Sequence, residues 1–125
     1  MKIGLTSVFV DDPRKAFKFY TEVLGFVERL YVPEANLAIV VSPEEPAGTG
    51  LLLEPNDNPI AKTYQEAIYQ QGLPVIVFAV EDIQREYERM TEPGIVFTQQ
   101  LAKTEAGTVA VFDDTCGNLV QLYQQ

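Results

Sequence analysis

The feature of this sequence that most constrains its fold is an internal repeat. The segment VDDPRKAFKFYTE, which begins at Val10, matches the segment VEDIQREYERMTE, which begins at Val80, after a shift of 70 positions. Further pairs matched by the same shift are Asp12 with Asp82, Phe17 with Tyr87, Thr21 with Thr91 and Glu22 with Glu92. A repeat of this kind indicates that one supersecondary unit occurs twice in the chain.

Each copy of the repeat predicts one strand, one helix and three further strands. The first strands, IGLTSVFV and PVIVFAV, are rich in β-branched and aromatic residues. Asp12 and Asp82 are the predicted N-caps of the helices that follow, and Gly25 and Gly94 are expected to stop those helices. The later strands are FVERLY, NLAIVV and GLLLE in the first copy, and IVFTQQL, GTVAVF and NLVQLY in the second. The sequence therefore predicts an α+β fold made of two tandem βαβββ modules.

The length of the chain, 125 residues with 46% hydrophobic content, suits a single domain with one core. We expect the first module at residues 1–56, a linking helix at 57–72 and the second module at 73–125. Asn58 is the predicted N-cap of the linking helix, and Gly72 its end. The apolar residues Ile60, Tyr64 and Ile68 lie four apart, which predicts that this helical face packs against the rest of the domain.

Charge and composition exclude several classes of protein. The formal net charge of −9 repels phosphate backbones and anionic membrane surfaces, so we expect no nucleic-acid partner and no membrane partner. No apolar run approaches the roughly 20 residues of a spanning helix, and the N-terminus does not resemble a signal peptide, which predicts a cytoplasmic protein. The single cysteine, Cys116, excludes an internal disulfide and is interpreted as a turn residue.

The chain contains no histidine, and this restricts its chemistry more than any other compositional feature. Histidine is the usual general base near neutral pH and the partner of catalytic serine or cysteine nucleophiles. It is also the commonest ligand of zinc, nickel and iron in proteins. A metal centre or nucleophilic triad of the common types is therefore not expected.

Two polar side chains in the last strands of the modules are candidates to line a cavity. A shift of 67 positions aligns TGLLLEP with CGNLVQL and matches Glu54 with Gln121 and Leu52 with Leu119. A carboxylate or amide among aliphatic neighbours costs several kcal/mol when it is dry and unpaired, so it must find water, a partner or a ligand. The alternative is that Glu54 is solvated at its strand end while Gln121 bonds to neighbouring backbone.

The sequence resembles the vicinal oxygen chelate superfamily, also called the glyoxalase/bleomycin-resistance/dioxygenase superfamily. The resemblance covers nearly the whole chain and is carried by VFVDDPRKAFKFYTEVLGF, LLLEPN, VIVFAVEDIQREYERM and GTVAVFDDTCGNLVQLY. The last of these is similar to the family ending G-x-x-x-x-F-x-D-P-D-G-N-x-x-E-L. The resemblance implies a curved, cupped mixed sheet with helices on its outer face, a small-molecule cavity inside the cup and a homodimer.

The chain departs from the ligand set of the metal-dependent members of this superfamily. Carried over by position, the four metal ligands correspond to Leu5, Glu54, Val75 and Gln121, and the two aliphatic residues cannot donate an electron pair. We therefore predict no metal ligands and no cofactor, with a divalent ion such as magnesium held through Glu54 and Gln121 as the alternative. Val109 also stands where the family often has an arginine, which weakens the case for an anionic substrate.

These observations favour a metal-free protein that binds a small organic molecule in the manner of bleomycin-resistance proteins. In strand alternation Ser7 and Phe9 share a face with Leu5. The predicted ligand-binding residues are Ser7, Phe9, Tyr31, Leu52, Gln121 and Tyr123, of which Phe9, Tyr31 and Tyr123 would form aromatic walls.

The sequence leaves two other functions open. One is a lactoylglutathione-lyase-like or epimerase-type enzyme, with or without a divalent metal, in which Glu54 is the general base. Dioxygenase chemistry is less favoured because the usual iron ligands are missing. The other is a dimerising domain whose cavity is only packing, against which the polar residues Glu54 and Gln121 argue.

Overall fold

The computed structural model describes residues 1–125 and divides into two compact units, Met1–Tyr64 and Gln65–Gln125. Each unit contains a four-stranded mixed sheet whose strands follow the order β, α, β, β, β along the chain. The predicted fold class, α+β with two tandem βαβββ modules, is confirmed. None of the helices has the length and apolar character needed to cross a membrane.

Unit one holds the first module. Its strands are β1 (Leu5–Val10), β2 (Val27–Val32), β3 (Leu37–Val41) and β4 (Gly50–Pro55), in the sheet order β1-β4-β3-β2. Helix α1 (Pro13–Lys18) continues into a π-helical turn at Phe19–Val23. Strand β1 is parallel to β4, and the other neighbours are antiparallel. Because α1 packs against β3 and β4, one face of this sheet is covered by the helix.

Unit two repeats this arrangement. Its strands are β5 (Ile76–Ala79), β6 (Phe97–Thr104), β7 (Gly107–Asp113) and β8 (Leu119–Gln124), in the order β5-β8-β7-β6. Strand β5 is parallel to β8, as β1 is to β4 in unit one. Helix α3 (Ile83–Thr91) packs against β6, β7 and β8 and covers one face of the sheet.

The matched residues of the repeat make matched local structures. Asp12 accepts a hydrogen bond from the backbone nitrogen of Arg14 at 3.0 Å, and Asp82 accepts one from Arg85 at 3.1 Å, so both aspartates are the predicted N-caps. The hydroxyls of two matched threonines bond back to the carbonyl four residues earlier, Thr21 to Phe17 at 2.7 Å and Thr91 to Tyr87 at 2.5 Å. The shift of 70 positions is therefore the structural equivalence of the first strand and helix of the two modules.

Each core lies between a helix and the covered face of its sheet. The helix-facing side chains in unit one are buried, and they include Val8, Val10, Ala16, Tyr20, Val40, Leu51 and Leu53. The corresponding buried set in unit two includes Ile83, Met90, Ala110, Phe112, Val120 and Leu122. Burial of side chains of this size, at about 25 cal/mol per Å² of apolar surface, is the main stabilising term in each unit.

Helix α2 (Pro59–Gln70) begins in unit one and ends in unit two, and Asn58 accepts the backbone nitrogen of Ile60 at 2.8 Å at its start. The predicted packed face of Ile60, Tyr64 and Ile68 is wrong for the first two, because their side chains are 81% and 56% exposed, while Ile68 is half-buried. The buried residues are Ala61 and Gln65 instead. The side-chain nitrogen of Gln65 donates to the Cys116 carbonyl at 3.2 Å and to Oδ1 of Asn118 at 3.1 Å, and these polar contacts orient the helix.

Candidate functional site

The face of the unit one sheet opposite α1, here called the open face of unit one, carries four of the predicted site residues. Ser7 lies opposite Leu52 in the register of β1 and β4, and Phe9 lies opposite Glu54. Paired residues on neighbouring strands project to the same side of a sheet, and the alternate residues Val8 and Val10 are buried on the α1 side. The structure therefore brings Ser7, Phe9, Leu52 and Glu54 together on one surface.

The open face of unit one combines an apolar floor with polar groups whose hydrogen-bonding capacity is unfilled. Ile39 is opposite Leu52 on the neighbouring strand and adds to the aliphatic floor. Within unit one, the hydroxyl of Ser7 and the carboxylate of Glu54 have no hydrogen-bond partner, and Glu54 is half-buried. A ligand on this face would find both an apolar contact surface and free acceptors.

Tyr31, which was predicted as an aromatic wall of the ligand site, lies on the other face of the same sheet and is not brought together with these residues. Its ring stacks on Phe17 of α1 with centroids 3.9 Å apart and planes 4° from parallel. The cause is a β-bulge between Glu28 and Leu30, which inserts one extra residue into β2. Because side chains alternate with a period of two, the bulge moves Tyr31 from the open face to the helix-covered face.

The open face of unit two carries the other two predicted residues. Gln121 is opposite Val77 on β5 and opposite Val111 on β7, and Tyr123 is opposite Val109. The amide of Gln121 is half-buried and has no hydrogen-bond partner within unit two, so the alternative in which it bonds to neighbouring backbone is not observed. The hydroxyl of Tyr123 donates to the Ala106 carbonyl at 2.7 Å, which fixes that ring at one end of the sheet.

The strand registers correct the predicted match of Gln121 with Glu54. Gln121 is opposite Val77, and the shift of 70 positions matches Val77 with Ser7, which is opposite Leu52. The residue of module one that is equivalent to Gln121 is therefore Leu52, while Glu54 is equivalent to Tyr123. The shift of 67 positions matched Gly50 with Gly117, and these glycines are not structurally equivalent. Gly50 begins a strand, whereas Gly117 lies in the turn before β8.

The residues present do not fit a transition-metal ion of the kind that the superfamily resemblance suggests. Leu5 and Val75 offer no donor atoms, and the strand register adds Leu52 to the aliphatic positions. Gln121 alone is a neutral amide, and one amide does not make a zinc or nickel site. No group of three or more His, Cys, Asp or Glu side chains is placed to hold a metal ion.

The turn before β8 contains buried polar residues that sequence reasoning missed, although the motif FDDTCGN held the signal. The Asp114 carboxylate is fully buried and accepts the backbone nitrogens of Cys116 at 2.7 Å and Asn118 at 3.0 Å. Its second oxygen accepts the side-chain nitrogen of Asn118 at 2.9 Å. Cys116 is buried within this turn, in agreement with its interpretation as a turn residue. The network sets the position at which β8 begins, and it therefore also sets the position of Gln121 within that strand.

Beside this turn, the hydroxyl of Tyr69 donates to Asp113 at 2.5 Å. The hydrogen bond to this carboxylate, together with its negative charge, raises the pKa of the Tyr69 phenol above its ordinary value. The other carboxylate oxygen accepts the backbone nitrogen of Thr115 at 2.8 Å. Both oxygens of Asp113 are thus engaged within unit two, in contrast to those of Glu54 within unit one.

Comparisons with known proteins agree with this fold. Residues 2–122 match the family model described as the Glyoxalase/Bleomycin resistance protein/Dioxygenase superfamily. An uncharacterized protein of Bacillus subtilis (strain 168), YurT, is 50% identical over 127 residues, which cover 100% of both chains.

Two solved structures are also similar to this chain. The crystal structure of UcmS2 superposes with a TM-score of 0.82 at 29% identity and covers 98% of this chain and 97% of that one. The structure of TnmS3, an antibiotic binding protein from Streptomyces sp. CB03234, has a TM-score of 0.75 at 24% identity and covers 99% and 95%.

Proposed function

Since the chain belongs to the glyoxalase/bleomycin resistance protein/dioxygenase superfamily, we propose that it binds a small organic molecule on the open faces of its sheets without a metal ion. The observation that carries this proposal is the pairing of apolar floors with three unfilled polar groups. These are the hydroxyl of Ser7, the carboxylate of Glu54 and the amide of Gln121. A few polar anchors on an apolar surface are typical of small-molecule sites.

The residue types of these surfaces support binding rather than metal-assisted catalysis. Leu5, Leu52 and Val75 are hydrocarbons at positions where a metal-dependent relative needs donor atoms. Phe9 and Tyr123 offer ring surface to an organic ligand. The description of TnmS3 as an antibiotic binding protein supports an antibiotic-like organic molecule as the first class of ligand to test.

The proposal places the protein in the cytoplasm as a homodimer. Leu5 and Val77 are exposed apolar side chains on the edge strands β1 and β5. Such residues favour association, and this supports a dimer in which a second copy of the chain covers them. Size-exclusion chromatography with light scattering measures this directly, and a monomer at micromolar concentration would contradict the dimer.

Titration with antibiotics in the presence of a chelator tests the binding proposal. Bleomycin, which the family description names, and a panel of uncharged aromatic antibiotics are titrated in EDTA and followed by calorimetry and thermal unfolding. A ligand at 100 times its dissociation constant should stabilise the fold by about 2.7 kcal/mol. Loss of binding whenever EDTA is present, with recovery on adding one divalent ion, would contradict the metal-free mode.

Paired substitutions locate the binding surface. Ser7→Ala and Gln121→Leu remove open-face anchors and should weaken binding, each by about fivefold to tenfold for one lost hydrogen bond. Thr6→Ala is the matched control for Ser7→Ala, because Thr6 is also exposed but projects from the other side of β1. Equal effects of Ser7→Ala and Thr6→Ala would place the ligand elsewhere.

A second candidate function is proton transfer with Glu54 as general base. It is favoured by one observation, the half-buried carboxylate of Glu54 without a hydrogen-bond partner within unit one. Assay of the methylglyoxal–glutathione hemithioacetal distinguishes the two functions. If the chain turns over this substrate, and Glu54→Gln abolishes the turnover but keeps the fold, then catalysis replaces binding as the proposed function.

A further inference from the structure

Glu54 is the charged side chain on the open face of unit one that has neither an ion-pair nor a hydrogen-bond partner within that unit. Strand-paired positions on the open face of unit one are otherwise apolar or neutral: Leu5, Ser7, Phe9, Val27, Leu30, Val32, Leu37, Ile39, Val41, Gly50 and Leu52. The unit two face carries Val77, Ala79, Gln99, Ala102, Thr104, Gly107, Val109, Val111, Leu119, Gln121 and Tyr123. Asp113 at the end of this face is engaged with Tyr69 and Thr115. Neither set of strand-paired positions contains a lysine or arginine, but the guanidinium of Arg29, the bulge residue of β2, lies over Gly50 at one end of the unit one face. It donates there to the carbonyls of Pro46 and Gly48. Gly50 is four residues from Glu54 along β4, and Arg29 and Glu54 form no ion pair.

A half-buried carboxylate on an apolar floor attracts a cation more strongly than a solvated one. Its Coulomb interaction is less screened where water is partly excluded, and a ligand that covers the face excludes more water. The net charge of −9 acts in the same direction, because the field of the whole chain concentrates cations near its surface. An anionic ligand would meet repulsion from both sources.

The neighbour of Glu54 in the strand register also suits a cation. Phe9 is paired with Glu54 between β1 and β4, and strand neighbours in a sheet lie about 4.8 Å apart. An aromatic ring beside a carboxylate can receive the apolar body of an organic amine, and its face attracts the ammonium group as well. Leu52 and Ile39 extend the apolar surface on the far side.

We infer that the ligand is an organic cation, with a protonated amine held by Glu54 and an apolar ring or chain lying on Phe9 and Leu52. This inference rests on the proposed function and names the chemical class of its ligand. It assigns Glu54 as the residue that determines specificity, with the aromatic floor supplying affinity that does not depend on charge.

Three probes with one ring system and three charges test this assignment. They are 1-naphthylmethylamine, the uncharged 1-naphthylmethanol and the anionic 1-naphthylacetate, each titrated into the full chain in EDTA at neutral pH and followed by NMR chemical shifts. The amine should bind about tenfold more tightly than the alcohol, as expected for one charge-assisted hydrogen bond. The ratio of the amine's affinity to the alcohol's affinity should fall as the salt concentration rises, while the affinity of the alcohol should not change.

Two variants complete the experiment. Glu54→Gln keeps the shape of the side chain and should bring the amine and the alcohol to within about twofold of each other. Glu28→Gln removes the same charge from an exposed residue of β2 whose register position is on the helix-covered side, and it should leave the preference intact.

The outcomes separate the inference from the proposal on which it rests. Equal binding of all three probes, or tightest binding of the acetate, would overturn the cationic ligand and leave binding on the open faces standing. An amine preference that survives in Glu54→Gln would overturn the assignment to Glu54. Failure of every probe to bind the unaltered chain would overturn the proposed function, and the inference with it.

Discussion

Asp114 shows how much the turn before β8 depends on one side chain. Its carboxylate is buried and accepts hydrogen bonds from Cys116, from the backbone of Asn118 and from the Asn118 side chain. Asp114→Ala leaves these donors without their acceptor and should lower the free energy of unfolding by about 2–4 kcal/mol. Urea denaturation followed by circular dichroism measures the change. Asp57→Ala is the control at an exposed aspartate, and equal small losses in both variants would contradict the role of Asp114.

The Tyr69–Asp113 hydrogen bond should appear in the alkaline titration of the protein. The pKa of Tyr69 is raised above 10.0, chiefly because its hydroxyl donates to the Asp113 carboxylate. The folded state therefore holds the phenol proton more tightly than the unfolded chain, and this stabilisation is present below pH 10 and lost as pH rises through the folded-state pKa. Asp113→Asn should return the pKa of Tyr69 toward its ordinary value.

Tyrosinate absorbance measures that titration, and the difference between the unaltered chain and Tyr69→Phe isolates Tyr69 from the other tyrosines. The isolated curve should have its midpoint above pH 10 in the unaltered background and a lower midpoint in the Asp113→Asn background. Midpoints that coincide in the two backgrounds would show that the Asp113 contact does not form in solution.

Residue-level prediction from sequence succeeded where a side chain acts on its own backbone. Asp12 and Asp82 cap helices because a short acceptor before a helix satisfies free N–H groups whatever the tertiary structure. The face on which Tyr31 lies depends on a bulge at Glu28 to Leu30, and the bulge is a property of strand pairing. Alternation counted along the sequence alone cannot detect an inserted residue.

At the scale of elements, helix α2 shows that the apolar pattern of a helix and its buried face can differ. The spacing of Ile60 and Tyr64 predicts a packed stripe, yet the helix turns its Ala61 and Gln65 side inward. The reason is polar: the Gln65 amide satisfies the Cys116 carbonyl and the Asn118 side chain, and no hydrophobic periodicity encodes such a contact. Buried amides are therefore where this kind of prediction fails.

This orientation of α2 predicts unequal costs for two truncations on the same helix. Gln65→Ala leaves buried acceptors unsatisfied and should lower the free energy of unfolding by about 2–3 kcal/mol. Ile60→Ala removes an exposed side chain and should change it by less than about 0.5 kcal/mol. Urea denaturation of the two variants measures both values. The reverse ranking would show that α2 packs through its apolar stripe.

The equivalence of the two modules was predicted fully for the first strand and helix and only partly for the last strand. Matching caps and matching Thr21 and Thr91 hydroxyls fix the shift of 70 positions at the start of each module. The segments before β4 and β8 differ in their turns, so matched glycines no longer occupy matched positions. Register alone then identifies Leu52 as the counterpart of Gln121.

For the whole molecule, the repeat was enough to predict the fold class, because two copies of a strand–helix–strand pattern allow few arrangements. The candidate site was harder. It depends on which side chains share a face and on which of them have unfilled hydrogen bonds. Ser7, Phe9, Leu52 and Glu54 could be found by alternation since β1 and β4 have no bulge. The inferred preference for a cationic ligand depends on which charged groups lack a partner in three dimensions, and sequence spacing does not specify this.

The stability of the whole molecule should not respond specifically to divalent metal ions. Leu5, Leu52 and Val75 provide no donors, and Glu54 with Gln121 gives too few for a tight transition-metal site. The thermal midpoint in EDTA should therefore equal that in Mg²⁺, Ni²⁺ or Zn²⁺ when NaCl is added to match the ionic strength. The matching is needed because a chain of net charge −9 gains stability from any salt that screens its self-repulsion. A midpoint that rises with one ion to a plateau at one equivalent, and does not rise in Glu54→Gln, would show a metal site and contradict the metal-free proposal.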